Sequence, residues 1–291
     1  MSSVSACLVV HNEEALIERC LRSLDGVVDE IVLIHDGPCA DLTLEIAEKH
    51  GARIVVTERA GGSEPHVPLA FSLATSEWLL RIDADEYLSD ELRDALPGLL
   101  ARDDVNGFSF IWPVWHPGKQ RYATSNGPYK LALTRRSATR RLGLPHSHTE
   151  VRGARVQTDL LFEHRPVRDS YSLRILLSKW RRYAPLHARV YLMRFQDIPQ
   201  FGYAPDADWP ARRVWGSRLS PLLFVPYGVL EFLSEAWEFR RMRPRRRVWR
   251  TAAIGGLYIT VVMLYVARFR YLERSAGEIP SGMKPARYAA S

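Results

Sequence analysis

Two aspartates at alternate positions, Asp83 and Asp85, directly follow the apolar run at residues 78–82, and Glu86 comes next. Carboxylates spaced this way just past a strand end can hold one hard divalent cation and leave coordination positions open for diphosphate oxygens. A cation there would neutralise charge building on a departing diphosphate, which is Lewis-acid catalysis. A solvated loop can also read Asp-x-Asp, so the chemistry depends on what surrounds the pair. Polar residues end three earlier apolar runs as well: His11, Asn12 and Glu13; His35, Asp36 and Gly37; and Thr57, Glu58 and Arg59.

The elements that must position these groups follow from apolar periodicity. Strands are expected at residues 6–10, 30–34, 53–56 and 78–82, separated by helices in which Leu16, Ile17, Cys20, Leu21 and Leu24 form one stripe and residues 42–50 and 68–74 two more. That alternation predicts an α/β fold with a doubly wound, mostly parallel sheet, in which ligands bind at the carboxyl ends of the strands. A helix at 89–101 and strands at 107–112 and 131–134 follow. Beyond about residue 164 the pattern turns helical and basic, with a kink or break expected at Pro185.

The run from Cys7 to Glu14, with its Asn12-Glu13-Glu14, resembles the opening strand and Asn-Glu-Glu signature of glycosyltransferase family 2. The run from Glu30 to Thr43, with Asp36, Asp41 and Thr43, is similar to that family's second strand and acidic turn. The run from Trp78 to Glu86 resembles its strand and metal motif. Three motifs in this order imply a GT-A fold and inverting sugar transfer from a nucleotide diphosphate donor, with Mn²⁺ or Mg²⁺. Lipopolysaccharide-core-type bacterial enzymes are the nearest resemblance, which implies a lipid-linked or cell-envelope glycan acceptor.

Carried over residue by residue, the resemblance puts Asn12 and Glu14 at the nucleoside edge and Asp36 on the base or ribose. It puts Asp83 on the ribose or metal and makes Asp85 the firmest metal ligand. His66 or Arg81 would face the diphosphate, His164 would be a third metal ligand, and Glu150 would be the base, with Asp90 and Glu86 as lesser candidates. Glu150 departs from the family's adjacent His-Glu pair by one residue, since Thr149 separates it from His148. Asp41 and Thr43 are better read as caps of the helix beginning there. Arg135, Arg136, Arg140 and Arg141 could clamp a diphosphate or an anionic acceptor, although at least two suit a solvated face.

The catalytic domain is therefore expected at residues 1–167, its nucleotide-sugar-binding part at about 1–90 and its acceptor part at about 91–167. A helical region occupies 168–291. Charge separates the halves: residues 1–150 carry 15 Lys+Arg against 22 Asp+Glu, a net −7, and residues 151–291 carry 25 against 11, a net +14. The apolar segments at 219–233 and 252–267, set among arginines, suit interfacial helices on an anionic membrane surface. The second segment has 16 residues without charge, short of the roughly 20 that a spanning helix needs. The competing expectation is that these helices pack on the catalytic domain or on a second copy of the chain.

Residues 1–5 lack a basic region and residues 6–10 are too short an apolar run for a secretory signal, so the expected location is the cytoplasmic face of the inner membrane. Cys7, Cys20 and Cys39 match no zinc spacing and are expected as buried thiols. The competing functions are a sugar nucleotidyltransferase and a non-catalytic membrane adaptor with a relic catalytic domain. The first would need a glycine-rich loop where His11-Asn12-Glu13-Glu14 stands; the second is opposed by the intact Asp36, Asp83 and Asp85. The basic half alone gives little reason to expect nucleic acid.

Overall fold

The structure is a computed structural model that describes residues 2–113, 115–122, 128–144, 147–167, 173–192, 198–203, 225–226, 228–230, 232–233 and 245–276. Two compact units divide the chain, one made chiefly of Met1–Ser170 with Pro199–Ala204, the other of Tyr171–Ile198 with Pro205–Lys284.

The first unit begins β1 (Val4–Val10), α1 (Glu14–Leu24), β2 (Glu30–Asp36), α2 (Thr43–Lys49), β3 (Arg53–Thr57), α3 (Val67–Leu73), β4 (Trp78–Arg81). It continues β5 (Glu86–Leu88), α4 (Asp90–Leu100), β6 (Gly107–Ile111), β7 (Trp115–His116), β8 (Arg121–Tyr122), β9 (Tyr129–Arg135), β10 (Thr139–Leu142), β11 (Glu150–Val151), β12 (Arg155–His164) and later β13 (Gln200–Gly202). An eight-stranded sheet has the order β3-β2-β1-β4-β9-β6-β12-β5. Its first four strands are parallel, as the apolar runs predict. Past β4 the sheet becomes mixed, because β9 runs antiparallel to both β4 and β6.

Every residue of β1 is buried, as expected of a central parallel strand covered on both faces. Alternate side chains reach opposite faces. Ala6, Leu8 and Val10 join Ile17, Leu21, Leu24, Leu33 and Leu92 in one core, while Cys7 and Val9 join Val32, Ile34, Val67 and Phe71 in another. Helices on both faces make the sheet doubly wound. Helix α4 starts where Ser89 accepts a hydrogen bond from the Leu92 N–H at 3.2 Å, with Asp90 and Glu91 in its first turn. Cys7 and Cys20 are buried, but Cys39 is only half-buried.

A separate three-stranded sheet, β11-β10-β13, has no counterpart in the expected pattern and draws Gln200–Gly202 into the first unit, outside the expected 1–167 boundary. Its strands are two to four residues long, too short to show period-2 alternation. Gly202 sits at φ +89 against the Thr139 carbonyl, where a Cβ would collide.

The second unit contains α5 (Leu173–Leu192), which runs unbroken through Pro185 where a kink or break was expected, and α6 (Arg245–Ala276). Ala184 and Ala188 of α5 pack with Ile259, Val262, Met263 and Val266 of α6. No helix among the described residues is long and apolar enough to cross a membrane. The expected segment 219–233 lies partly outside the described residues.

Candidate active site

The loops after β1 and β2 are stitched together by side chains. Asn12, at φ 54, accepts from the Ala40 N–H through Oδ1 at 2.9 Å. Thr43 Oγ1 accepts from the Glu13 N–H at 2.7 Å and Asp41 from the Glu14 N–H at 3.2 Å, so both hold the start of α1. Of the capping expected of them at α2, Asp41 accepts from the Thr43 N–H at 3.0 Å, whereas Thr43 is itself the first residue of that helix and the N-cap position is Leu42, without a side-chain cap. In return Glu14 accepts from the Leu42 N–H at 3.1 Å. Asn12 thus follows the end of β1 and Glu14 opens α1, and their side chains tie this loop to the one after β2.

Asp36 is buried at the end of β2, and its carboxylate accepts from the Ala60 N–H at 2.5 Å, the Gly61 N–H at 3.0 Å and His66 Nε2 at 2.9 Å. Burial works to raise its pKa, but those hydrogen bonds outweigh it and hold the carboxyl below the usual range. His66 is 2% exposed, so its ring is committed to Asp36 rather than turned to a diphosphate. Of the two basic candidates for that role, Arg81 stays at the site. Its Nη2 lies 3.8 Å from Asp83 Oδ1.

The acidic motif after β4 folds back on itself. The Asp83 N–H donates to Glu86 Oε2 at 2.8 Å, and Glu86 is fully buried. Lys130, from β9, places Nζ 3.0 Å from Asp83 Oδ2 and 2.6 Å from Glu86 Oε1. Burial would raise Asp83's pKa, but Lys130 and Arg81 hold it well below the carboxylate range. Glu86 moves up: burial and the charges of Asp83 and Asp85 outweigh Lys130. Glu86 is thus bound inside the fold, which removes it from the candidate bases. Asp90 is exposed in the first turn of α4.

His164 reaches the motif through strand pairing. β12 runs antiparallel to β5 with His164 opposite Glu86, and the Arg165 N–H donates to the Asp85 carbonyl at 2.8 Å. His164 Nε2 then lies 3.4 Å from Asp85 Oδ2. Its Nδ1 is buried with no hydrogen-bond partner among the described residues. No group of three His, Cys, Asp or Glu side chains among the described residues converges as a metal cage. Asp85 and His164 nevertheless fit a divalent ion as a carboxylate and imidazole pair, with the remaining positions left to ligand oxygens. Asp83, expected as a metal ligand, is occupied by Lys130 and Arg81.

Glu150 is not brought to this cluster by any contact. On β11 it is half exposed and its ion pair, at 3.6 Å, is with Arg140. Of the four arginines, at least two of which were expected on a solvated face, Arg140 and Arg141 are buried and Arg135 and Arg136 are half-buried. Arg141 donates to the Ser147 carbonyl, while Nε and Nη2 have no partner among the described residues. Burial and the nearby Arg81 lower its pKa to about 9, against the opposing pull of Glu64 and Asp83.

Glu13 was not among the expected ligands, although it stands in the Asn-Glu-Glu run. Burial, Asp85, Asp41 and Asp83 push its pKa up to about 7. A carboxyl raised in the folded state binds more protons folded than unfolded. Its ionisation therefore opposes folding as pH rises past the ordinary glutamate value, and does so fully above about 7. Glu13→Gln is expected to raise the thermal midpoint at pH 8 and leave it unchanged at pH 4.5. A midpoint difference independent of pH would show that Glu13 does not feel this field.

A family model described as glycosyl transferase family 2 matches residues 5–161, more than half of the chain. An uncharacterized glycosyltransferase of Rickettsia felis is 38% identical over 103 residues, 35% of either chain. A lipopolysaccharide core biosynthesis glycosyltransferase, LpsC, of Rhizobium meliloti is 33% identical over 105 residues, 35% of this chain and 38% of that one. The chain thus spans about a third of the length of the curated relatives it matches. Among solved structures, glucosyl-3-phosphoglycerate synthase from Mycobacterium tuberculosis is similar at 26% identity and a TM-score of 0.31, over 38% of this chain and 44% of that one. The matched span runs from β1 into β12 and takes in the Asn-Glu-Glu run, the acidic turn and the Asp83–Asp85 pair: the chain belongs to glycosyl transferase family 2.

Proposed function

We propose that this protein transfers a sugar from a nucleoside diphosphate donor to a cell-envelope or lipid-linked glycan acceptor, assisted by Mn²⁺ or Mg²⁺. The observation that carries this reading is the juxtaposition of Asp85 and His164, 3.4 Å apart, beside the Lys130- and Arg81-paired Asp83 at the carboxyl ends of the strands. A divalent ion held there would supply charge neutralisation to the departing diphosphate. Arg81 adds fixed positive charge at the same edge, and the stitched loops at Asn12 and Asp41 form the rim on which a nucleoside would rest. Lys130 keeps Asp83 ionised at neutral pH, so a hydroxyl of the donor would meet an acceptor there.

Release of nucleoside diphosphate tests the reading: the full chain is incubated with UDP-, GDP-, dTDP- and CDP-linked sugars, with Mn²⁺ or with a chelator. Metal-dependent turnover of one donor, lost in His164→Ala, supports it. Turnover unaffected by the chelator contradicts the assistance by metal.

The second unit supports a lipid-facing acceptor. Ile254, Leu257 and Leu264 are exposed on one face of α6, and Arg268 lies on that same face. An apolar strip ending in arginine, in a half with net charge +14, suits an anionic bilayer surface. Flotation with phosphatidylglycerol vesicles, diminished by Leu257→Glu, is the expected result; no binding to such vesicles contradicts it.

A further inference from the structure

A metal-binding imidazole is ordinarily steadied by a hydrogen bond on its second nitrogen, which fixes the tautomer and the ring plane. His164 lacks that device among the described residues, since Nδ1 is buried without a partner. An indole takes its place. The Trp112 ring stacks on the imidazole with centroids 4.1 Å apart and planes 19° apart.

Trp112 is itself tied down at two points. Its backbone N–H donates to the Pro128 carbonyl at 2.7 Å, and its indole Nε1–H donates to Glu86 Oε1 at 2.6 Å. Glu86 is fixed in turn by the Asp83 N–H and by Lys130. The spacing of the stack comes from the sheet, because Trp112 follows β6 and His164 ends β12, its parallel neighbour. A continuous chain of contacts therefore runs from the backbone of Asp83 through Glu86 and the indole to the imidazole beside Asp85.

We infer that Trp112 is a positioning residue for His164, replacing the usual hydrogen-bonded partner with a stacked ring anchored on Glu86. The inference rests on reading Asp85 and His164 as a divalent-cation seat. With the ring plane fixed, Nε2 stays aimed at Asp85, and the seat is preorganised before ligand arrives.

The test is Mn²⁺ binding to the full chain, read from the electron paramagnetic resonance signal of free Mn²⁺. Losing the steadying partner of a ligating imidazole costs about 10–100-fold in metal affinity. Trp112→Leu is expected to weaken Mn²⁺ binding about 10-fold. Trp112→Phe, which keeps an aromatic face but loses the anchor to Glu86, is expected to fall between. A residue needed only for folding would lower the thermal midpoint and leave Mn²⁺ affinity intact, so wild-type affinity in folded Trp112→Leu overturns the inference. Should that variant fail to fold, wild-type affinity in Trp112→Phe does the same. His164→Ala separates the two levels: if it binds Mn²⁺ as tightly as wild type, the seat itself is wrong and the inference falls with it.

Discussion

Asp85→Asn is expected to reduce nucleotide-sugar turnover by about a thousand-fold while leaving the fold intact. Asparagine keeps the shape of the side chain and removes its charge. Asp85 is partly exposed, and its carboxylate lies 3.4 Å from His164 Nε2, so little in the core depends on it. What is lost is one of the two side chains that would hold a divalent ion. Lewis-acid stabilisation of a departing diphosphate is worth several kcal/mol, and about 4 kcal/mol corresponds to roughly a thousand-fold in rate. Steady-state nucleoside diphosphate release measures it. Turnover within about tenfold of wild type would mean that Asp85 is a loop carboxylate and not a ligand.

The second large effect falls on stability. Lys130→Met removes the ammonium shared by Asp83 and a fully buried Glu86. Breaking a buried ion pair from one side costs about 3–5 kcal/mol, because the charge left behind has no counterion. Glu86 is already raised toward its neutral form by burial and by its acidic neighbours. The deficit should therefore shrink as pH falls, since protonation removes the stranded charge, and Glu86→Gln added to Lys130→Met should recover much of it. Urea unfolding at pH 8 and pH 5.5 reads both. A Lys130→Met protein as stable as wild type at pH 8 would show that water, not Lys130, compensates Glu86.

These two residues differ in how they could be seen from sequence. Asp85 follows a run of buried parallel strand, and such runs are continuous apolar segments whose ends are easy to locate. The same applied to β1 and β2, which is why Asn12, Asp36 and the acidic pair were placed at strand ends correctly. Lys130 gave no such sign. It stands at the start of β9, 47 residues after Asp83, and meets the motif only because β9 runs antiparallel between β4 and β6. Trp112 is hidden in the same way, since its contact with His164 depends on the parallel pairing of β6 with β12.

His66 and Glu150 illustrate the converse. Their positions along the chain suited ligand and base, yet the structure ties His66 to Asp36 and pairs Glu150 with Arg140. Thirty residues separate His66 from Asp36, and Glu150 meets Arg140 only because the short strands β10 and β11 pair antiparallel with those two residues opposite each other. Of the kink or break expected at Pro185, the break does not occur: α5 continues past it. The proline removes one N–H bond, but packing of Ala184 and Ala188 on α6 is a tertiary term that local propensity does not contain.

The proposed function requires this fold to bind a nucleoside diphosphate through a metal ion seated at Asp85. Thermal stabilisation of the full chain by UDP, GDP, dTDP and CDP, each with and without Mn²⁺, in wild type and Asp85→Asn, tests it most directly. A ligand that binds only the folded state raises its apparent stability by RT ln(1 + [L]/Kd). One nucleotide is expected to raise the midpoint of the wild type only when Mn²⁺ is present, and Asp85→Asn is expected to lose that rise. Stabilisation of both proteins alike, or of neither by any nucleotide, would contradict it.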